Sequence, residues 1–478
     1  MVYIRLCMPN IANDQLRTFI ASRWSESILP TMQEYIRIPN VSPDYDHDWQ
    51  ANGHMLRAAN LISDWIDKQN VAGLTKRIIQ SEGETPLIFI EIAGTTSETV
   101  LLYGHIDKQP PLDGWREGLD PFTPTLEGDR LYGRGSADDG YASFSAITAI
   151  KALQEQGVAH PRCVIVLEAC EESGSYNLPA YIETLTPEIG QPSLIVCLDS
   201  GCGDYERLWL TSSLRGVIGG LLRVEVLKDG VHSGDASGIV PSSFRIARQV
   251  LSRLEDIETG RVLPQEFWVT IPQERQGQIA EAAVVLGKEW LDRFPFVPGM
   301  RPVTEDVAIA IRAHTWEPAL SVTGASGFPP SDRAGNVLRP FTELKLSMRL
   351  PPGVDAKATS EFMKSLLESN PPYGAKATFT YESPAAGWSA PETAPWLAAT
   401  LDAASNEFFG HAPAVMGEGG SIPFMHMLGQ RFPQAQFVIT GVLGPESNAH
   451  GPNEFLHIPM FQKITASIAT ILANVPTK

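Results

Sequence analysis

Positive charge is what this sequence is shortest of: 37 lysines and arginines stand against 55 aspartates and glutamates, a net charge of −18 over 478 residues. A surface that negative repels phosphate, so neither a general nucleic-acid partner nor an anionic membrane is expected. Cysteine is scarce as well. The five (Cys7, Cys163, Cys170, Cys197 and Cys202) are odd in number and form no C-x-x-C pair. That suits reduced, buried thiols in a cytosolic protein. No apolar run approaches the ~20 residues of a membrane span. Arg5 breaks the N-terminal apolar stretch before it can form a signal-peptide core. These absences together predict a cytoplasmic protein. Internal repeats and low-complexity tracts are missing too.

The remaining composition is that of an ordinary globular protein, and the length is too great for one hydrophobic core, so two or three domains are expected. Apolar spacing predicts an amphipathic helix over 14–38 and another over 55–69. Strands are expected at 74–80, 86–92 and 99–104, then a Pro-, Gly- and Asp-rich loop over 108–134. A Gly-rich turn at 133–140 opens a helix ending near Gly157, and strands follow at 163–169 and 193–198. Strand, helix and strand in alternation mean an α/β fold, a mostly parallel sheet with helices on both faces. Past Thr211 the order becomes β-α-β-β-α-β, at 216–227, 241–254, 319–323, 342–350, 355–368 and 375–381, interrupted by a partly helical stretch at 258–316. A helix at 396–408, a strand at 435–440 and a helix at 458–472 return to the first style. The expected organisation is a discontinuous catalytic domain, 1–211 and 387–478, with an inserted two-layer α+β domain at 212–386. The crossings between them fall at about 211–213 and 384–388.

Metal-ligand residue types recur where these strands end. His105 and Asp107 end the run Thr99-Val100-Leu101-Leu102-Tyr103-Gly104; Asp138 sits in the Gly-rich turn; Glu171 and Glu172 follow the strand at 163–169; Asp199 follows Leu198; His450 lies past the strand at 435–440. Singly, each reads as a turn residue, a helix cap or a solvated strand end. In open α/β sheets, however, chemistry gathers at the carboxyl ends of the strands. Two imidazoles and at least three carboxylates at one sheet edge repel unless cations neutralise them, and they suit Zn²⁺ or Mn²⁺.

Gly104-His105-Ile106-Asp107, Tyr132-Gly133-Arg134-Gly135-Ser136-Ala137-Asp138-Asp139, Glu171-Glu172-Ser173-Gly174-Ser175, Asp199 and Ala449-His450-Gly451-Pro452-Asn453-Glu454 resemble, in order, the motifs of the dinuclear metallopeptidases. That family includes carnosinase, cytosolic non-specific dipeptidase, glutamate carboxypeptidase, aminoacylase and succinyl-diaminopimelate desuccinylase. The resemblance spans nearly the whole chain and is nearest to the carnosinase-like dipeptidases. It implies two divalent ions per chain, Zn²⁺ first and Mn²⁺ as the alternative. Asp138 would bridge them, with His105 and Asp199 on one and Glu172 and His450 on the other. Glu171 would be the general base, Asp107 would orient the His105 ring, and the Asp138-Asp139 peptide bond would be cis.

Within the insertion, which the resemblance makes a lid and dimerisation domain, Lys228-Asp229-Gly230-Val231-His232-Ser233-Gly234 resembles the family's histidine loop, so His232 is expected to stabilise the oxyanion in the partner subunit of a homodimer. Arg349, in Ser347-Met348-Arg349-Leu350-Pro351, resembles the arginine that grips a substrate carboxylate, and Gly420 and Ser421 lie in the turn that completes the grip. Three residues at two places depart from the pattern: Gly140-Tyr141 stands where Lys-Gly is common, and Gly417 stands where an arginine precedes Glu-Gly-Gly. The expected activity is hydrolysis of dipeptides or short peptides. A deacylase acting on N-acyl amino acids needs the same parts, and a non-catalytic binding protein is the reading from another class.

Overall fold

The computed structural model describes residues 11–477, so Arg5 and Cys7 lie outside the described residues. Its largest sheet has six strands, in the order Leu74–Ile79, Leu87–Ile92, Arg162–Glu168, Thr99–His105, Leu194–Cys197 and Gln436–Ile439. The last four are parallel, and the first two make an antiparallel edge. Alternate residues of each strand enter opposite cores, as the two-residue period of a strand requires. Val100 and Leu102 join the cluster under the helices Asn13–Arg23, His54–Lys68, Tyr141–Glu155 and Ile458–Ala473. Leu101 and Tyr103 join the other, under Leu178–Ile189 and Pro423–Arg431.

The helix expected at 14–38 is divided. Asn13–Arg23 and Leu29–Ile36 flank a π turn at Trp24–Ile28, just ahead of Pro30, which has no N–H to donate back. The helix Leu178–Ile189 was not foreseen, for Pro179 and Pro187 mask its period. The stretch 108–134 is not all loop. Thr125–Glu127 and Arg130–Tyr132 form a hairpin that pairs with Phe455–His457, a partner more than 300 positions away that no local pattern announces.

The order β-α-β-β-α-β holds from residue 216 to 381. Strands Ala319–Ser326, Phe341–Leu350, Gly216–Glu225 and Lys376–Tyr381 form an antiparallel sheet. Helices Ser243–Leu251 and Ala356–Glu368 cover one face over a core of its own. Of the segment between its first helix and second strand, Val262 and Phe267 stay in that core, but the later part packs elsewhere: Ile279, Ala282, Trp290, Ile311 and Trp316 are buried with Met416 and Leu401 in the large core. The crossings are not free hinges either. Residues 211–213 lie inside the strand Trp209–Leu214, which pairs with both Trp388–Ser389 and Ala414–Glu418. Among the described residues no helix is long and apolar enough to cross a membrane.

Candidate active site

The parallel strands deliver their ends to one place. His105 is the last residue of its strand, opposite Glu168 of the next. Glu171 and Glu172 form the short 3-10 turn just beyond, and Asp199 lies two residues past Cys197. Asp138 stands in the turn before the helix Tyr141–Glu155. His450 comes from the loop after Gln436–Ile439, where Glu446, Asn448, His450 and Asn453 all have left-handed backbones, φ +56° to +65°. Four such residues in eight positions are rare outside functional loops.

The side chains form two groups of three donors that share Asp138. In one, His105 Nε2 lies 3.3 Å from Asp138 Oδ1 and 3.8 Å from Asp199 Oδ2. In the other, His450 Nε2 lies 3.1 Å from Asp138 Oδ2 and 3.2 Å from Glu172 Oε2. All donor atoms within each group are within 4.8 Å of one another. Glu172 Oε1 is buried with no hydrogen-bond partner, as an oxygen reserved for a cation would be. One imidazole and two carboxylates per group is a donor set that fits a divalent ion.

Electrostatics point the same way. Burial raises the carboxyls of Glu172, to about 7 with help from Asp138, and of Asp199, to about 6. Burial and the Asp199 charge push Glu171 well up. Asp138 is also raised by burial, but His105 and His450 more than offset this and hold it low. Burial opposes protonation of His450, yet Asp138 and Glu172 raise it to about 11. Positive charge is therefore strongly favoured between these carboxylates.

Asp107 is fully buried and does two jobs. It faces His105 Nδ1 with its Oδ1 at 3.4 Å and its backbone oxygen at 3.2 Å. The same carboxylate accepts the Glu171 N–H at 3.1 Å and the Glu172 N–H at 3.0 Å. Glu454 does the equivalent for Asp138, accepting the N–H groups of Gly135 (3.1 Å), Ala137 (3.1 Å) and Asp138 (3.2 Å) while paired with Arg134 at 2.9 Å. Lys108, also buried, donates to the carbonyls of Tyr35, Ile36 and Ile38 and so ties a helix end to the His105 strand. Glu454 lies in a motif quoted above, but its role needed the fold; Lys108 gave no signal beyond following Asp107.

The Asp138-Asp139 peptide is cis, as expected. The departure at Gly140-Tyr141 also has a structural account. A Cβ on Gly140 would meet Gly135 O and the Tyr35 ring, each at 2.4 Å. The buried Tyr141 hydroxyl donates to the carbonyl of Leu198, next to Asp199. A Cβ on Gly417 would sit 2.4 Å from Ser213 Oγ and 3.0 Å from Thr315 Cβ, so an arginine there would displace its neighbours. Sequence reasoning passed over Arg215, which supplies a guanidinium to the same turn, donating from Nε to Gly419 O at 3.1 Å.

Arg349 reaches from the inserted sheet to donate to Ser421 Oγ at 3.2 Å, and Ser421 Oγ donates to Arg215 O at 2.6 Å. Gly420 and Ser421 line a cavity of about 200 Å³ together with Asp138, Glu171, Asp199 and His450. His232 does not line it; it is exposed on the two-residue strand Val231–His232. Cys163, Cys170, Cys197 and Cys202 are all free and buried, and burial pushes the Cys170 thiol up to about 12, which keeps it protonated.

The profile of peptidase family M20/M25/M40 matches residues 101–474. The cysteinylglycine-S-conjugate dipeptidase of Corynebacterium striatum is 26% identical over 361 residues, 74% of this chain and 76% of that protein. The Cys-Gly metallodipeptidase dug1 of Schizosaccharomyces pombe is 26% identical over 480 residues, covering 93% of this chain and 94% of its own. The crystal structure of human carnosine dipeptidase 1 superposes with a TM-score of 0.78 at 20% identity, over 98% of this chain and 99% of that one.

Proposed function

This chain belongs to peptidase family M20/M25/M40, and from that premise we propose that it is a metal-dependent hydrolase of dipeptides or short peptides with a free C-terminal carboxylate. The observation that carries the reading is Asp138, whose two oxygens face different histidines at 3.3 and 3.1 Å, the disposition of a bridging ligand. We assign His105 and Asp199 to one ion and Glu172 and His450 to the other, Zn²⁺ in preference to Mn²⁺. When bound, such ions polarise the scissile carbonyl and acidify the attacking water.

The chain's own residues do the rest. Glu171, in neither donor group but lining the same cavity, takes the proton of the attacking water on its carboxylate and returns it to the leaving amine. Asp107 fixes the Glu171-Glu172 backbone while it orients His105. Arg349, Gly420 and Ser421 hold the terminal carboxylate of the substrate. His232 belongs to the site of a partner subunit, as oxyanion donor in a homodimer formed through the inserted domain. The exposure of Ile239 (82%), Phe244 (46%) and Phe328 (48%) on that domain supports a covered face there. The free, buried cysteines agree with a cytoplasmic location.

The test is elemental analysis combined with paired substrates. Two divalent ions per chain, and hydrolysis of a dipeptide far exceeding that of its C-terminal amide or of the matching N-acetyl amino acid, are expected. Equal turnover of dipeptide and amide removes carboxylate anchoring. Faster turnover of the N-acyl amino acid replaces the peptidase reading with a deacylase.

A further inference from the structure

Beside the cavity at the donor residues lies a second, larger one. Its volume is about 740 Å³, and it shares Leu443 and Ala449 with the smaller cavity. One wall is the loop that runs on to His450; the other is Leu286, Trp290, Arg293 and Phe294, from the segment that packs on the large core instead of on the inserted sheet. This aromatic wall is built firmly. Trp290 is 7% exposed and stands edge-on to His314, with ring centres 5.8 Å apart. The Arg293 guanidinium lies 4.3 Å from the Trp290 ring centre and 4.8 Å from that of Phe294. Of the three acidic residues of the lining two already have partners: Asp204 accepts from Arg207 and Trp209, both at 3.0 Å, and Glu446 pairs with Arg130 at 3.1 Å, while Glu289 is exposed. Apart from Glu289, Arg293 and Asn448, the side chains left to face a ligand are mostly apolar and aromatic, the usual lining of a site for an apolar group.

Direction follows from the reading above, on which this inference rests. If Gly420, Ser421 and Arg349 hold the terminal carboxylate, the residue on the carboxyl side of the scissile bond fills the small cavity. The residue on the amino side must then leave past the donor residues, toward Leu443 and Ala449. We propose that the larger cavity is the subsite for the amino-side residue and that its Leu286–Trp290–Phe294 wall selects a bulky apolar or aromatic side chain.

Steady-state kinetics on Gly-Gly, Phe-Gly and Gly-Phe test this, with wild type, Phe294→Ala and Phe294→Tyr. Phe294 is 48% exposed, so its truncation leaves the folded core intact. Wild type should favour Phe-Gly over Gly-Gly. Phe294→Ala should cut that ratio in kcat/KM by about tenfold, the scale of losing apolar contact in a specificity pocket. Gly-Gly and Gly-Phe should stay unchanged, and Phe294→Tyr should restore the preference. An unchanged ratio overturns the inference alone. A loss confined to Gly-Phe assigns the cavity to the carboxyl side and overturns it equally. Failure of metal-loaded wild type to cleave any of the three peptides overturns the peptidase reading and the subsite with it.

Discussion

Replacing Asp107 with asparagine tests the site at its most economical point. Three donors converge on this buried carboxylate: Glu171 N at 3.1 Å, Glu172 N at 3.0 Å and His105 Nδ1 at 3.4 Å. An amide is isosteric but has one oxygen, and its NH₂ must face at least one of those donors. A buried N–H left without an acceptor costs ~1–3 kcal/mol, and the bonds that survive lose their ionic assistance. The total is about 3–5 kcal/mol, divided between folding and the organisation of the metal site. The His105 ring loses its orienting carboxylate, which typically lowers metal affinity 10–100-fold. The Glu171-Glu172 turn is freed as well, so turnover should fall even when metal saturates the site. Elemental analysis at limiting metal, thermal unfolding of the metal-free protein and kcat/KM with excess metal separate the three effects. Asp107→Asn with wild-type metal affinity and kcat/KM within a factor of two would refute the reasoning, because the carboxylate would then be neither orienting His105 nor fixing the base.

Adjacent carboxylates should behave differently: Glu171→Gln should keep two ions and lose ~10²–10⁴-fold or more in kcat, whereas Glu172→Gln should weaken one ion, which metal titration distinguishes. Arg349→Lys keeps the charge but loses the forked grip, so KM for dipeptides should rise while hydrolysis of dipeptide amides hardly changes. Mixing His232→Ala with Glu171→Gln, each inactive, should restore activity once subunits exchange; no recovery after verified exchange would confine His232 to its own chain. The His314 imidazole is driven down to about 3, by burial first and then by the charges of Arg215, Arg293 and Arg349. A histidine depressed in this way protonates more readily in the unfolded chain, so the native state loses stability as pH falls below the ordinary histidine value, by about 2 kcal/mol at pH 5. His314→Gln should flatten the acid limb of Tm against pH relative to wild type, and parallel curves would rule the effect out.

Much of the site was legible in the chain because its signals are local. An apolar run that ends at glycine and then offers His105 and Asp107 states both the strand and what it carries. The same holds for Glu171 and Glu172, Asp199, and the Gly-rich turn with Asp138, since strand ends in a parallel sheet share one edge whatever the connections are. The β-α-β-β-α-β order of the insertion was readable for the same reason, from periods of two and of about 3.6 within single elements. Long-range packing was not. Nothing near residue 130 announces that Arg130–Tyr132 pairs with Phe455–His457. Nor does the period of residues 273–316 say that Ile279, Trp290 and Ile311 bury against Met416 instead of against the sheet they interrupt. Both depend on surfaces contributed from hundreds of positions away. Tertiary structure alone also decided that Asp107 serves His105 and the Glu171-Glu172 turn at once, that Glu454 cradles the Asp138 turn, and that Arg215 takes up the turn where Gly417 packs tightly on Ser213. Residue type and local spacing fix which groups are offered at a strand end; which partners satisfy them depends on how buried donors and acceptors meet when the separate elements pack.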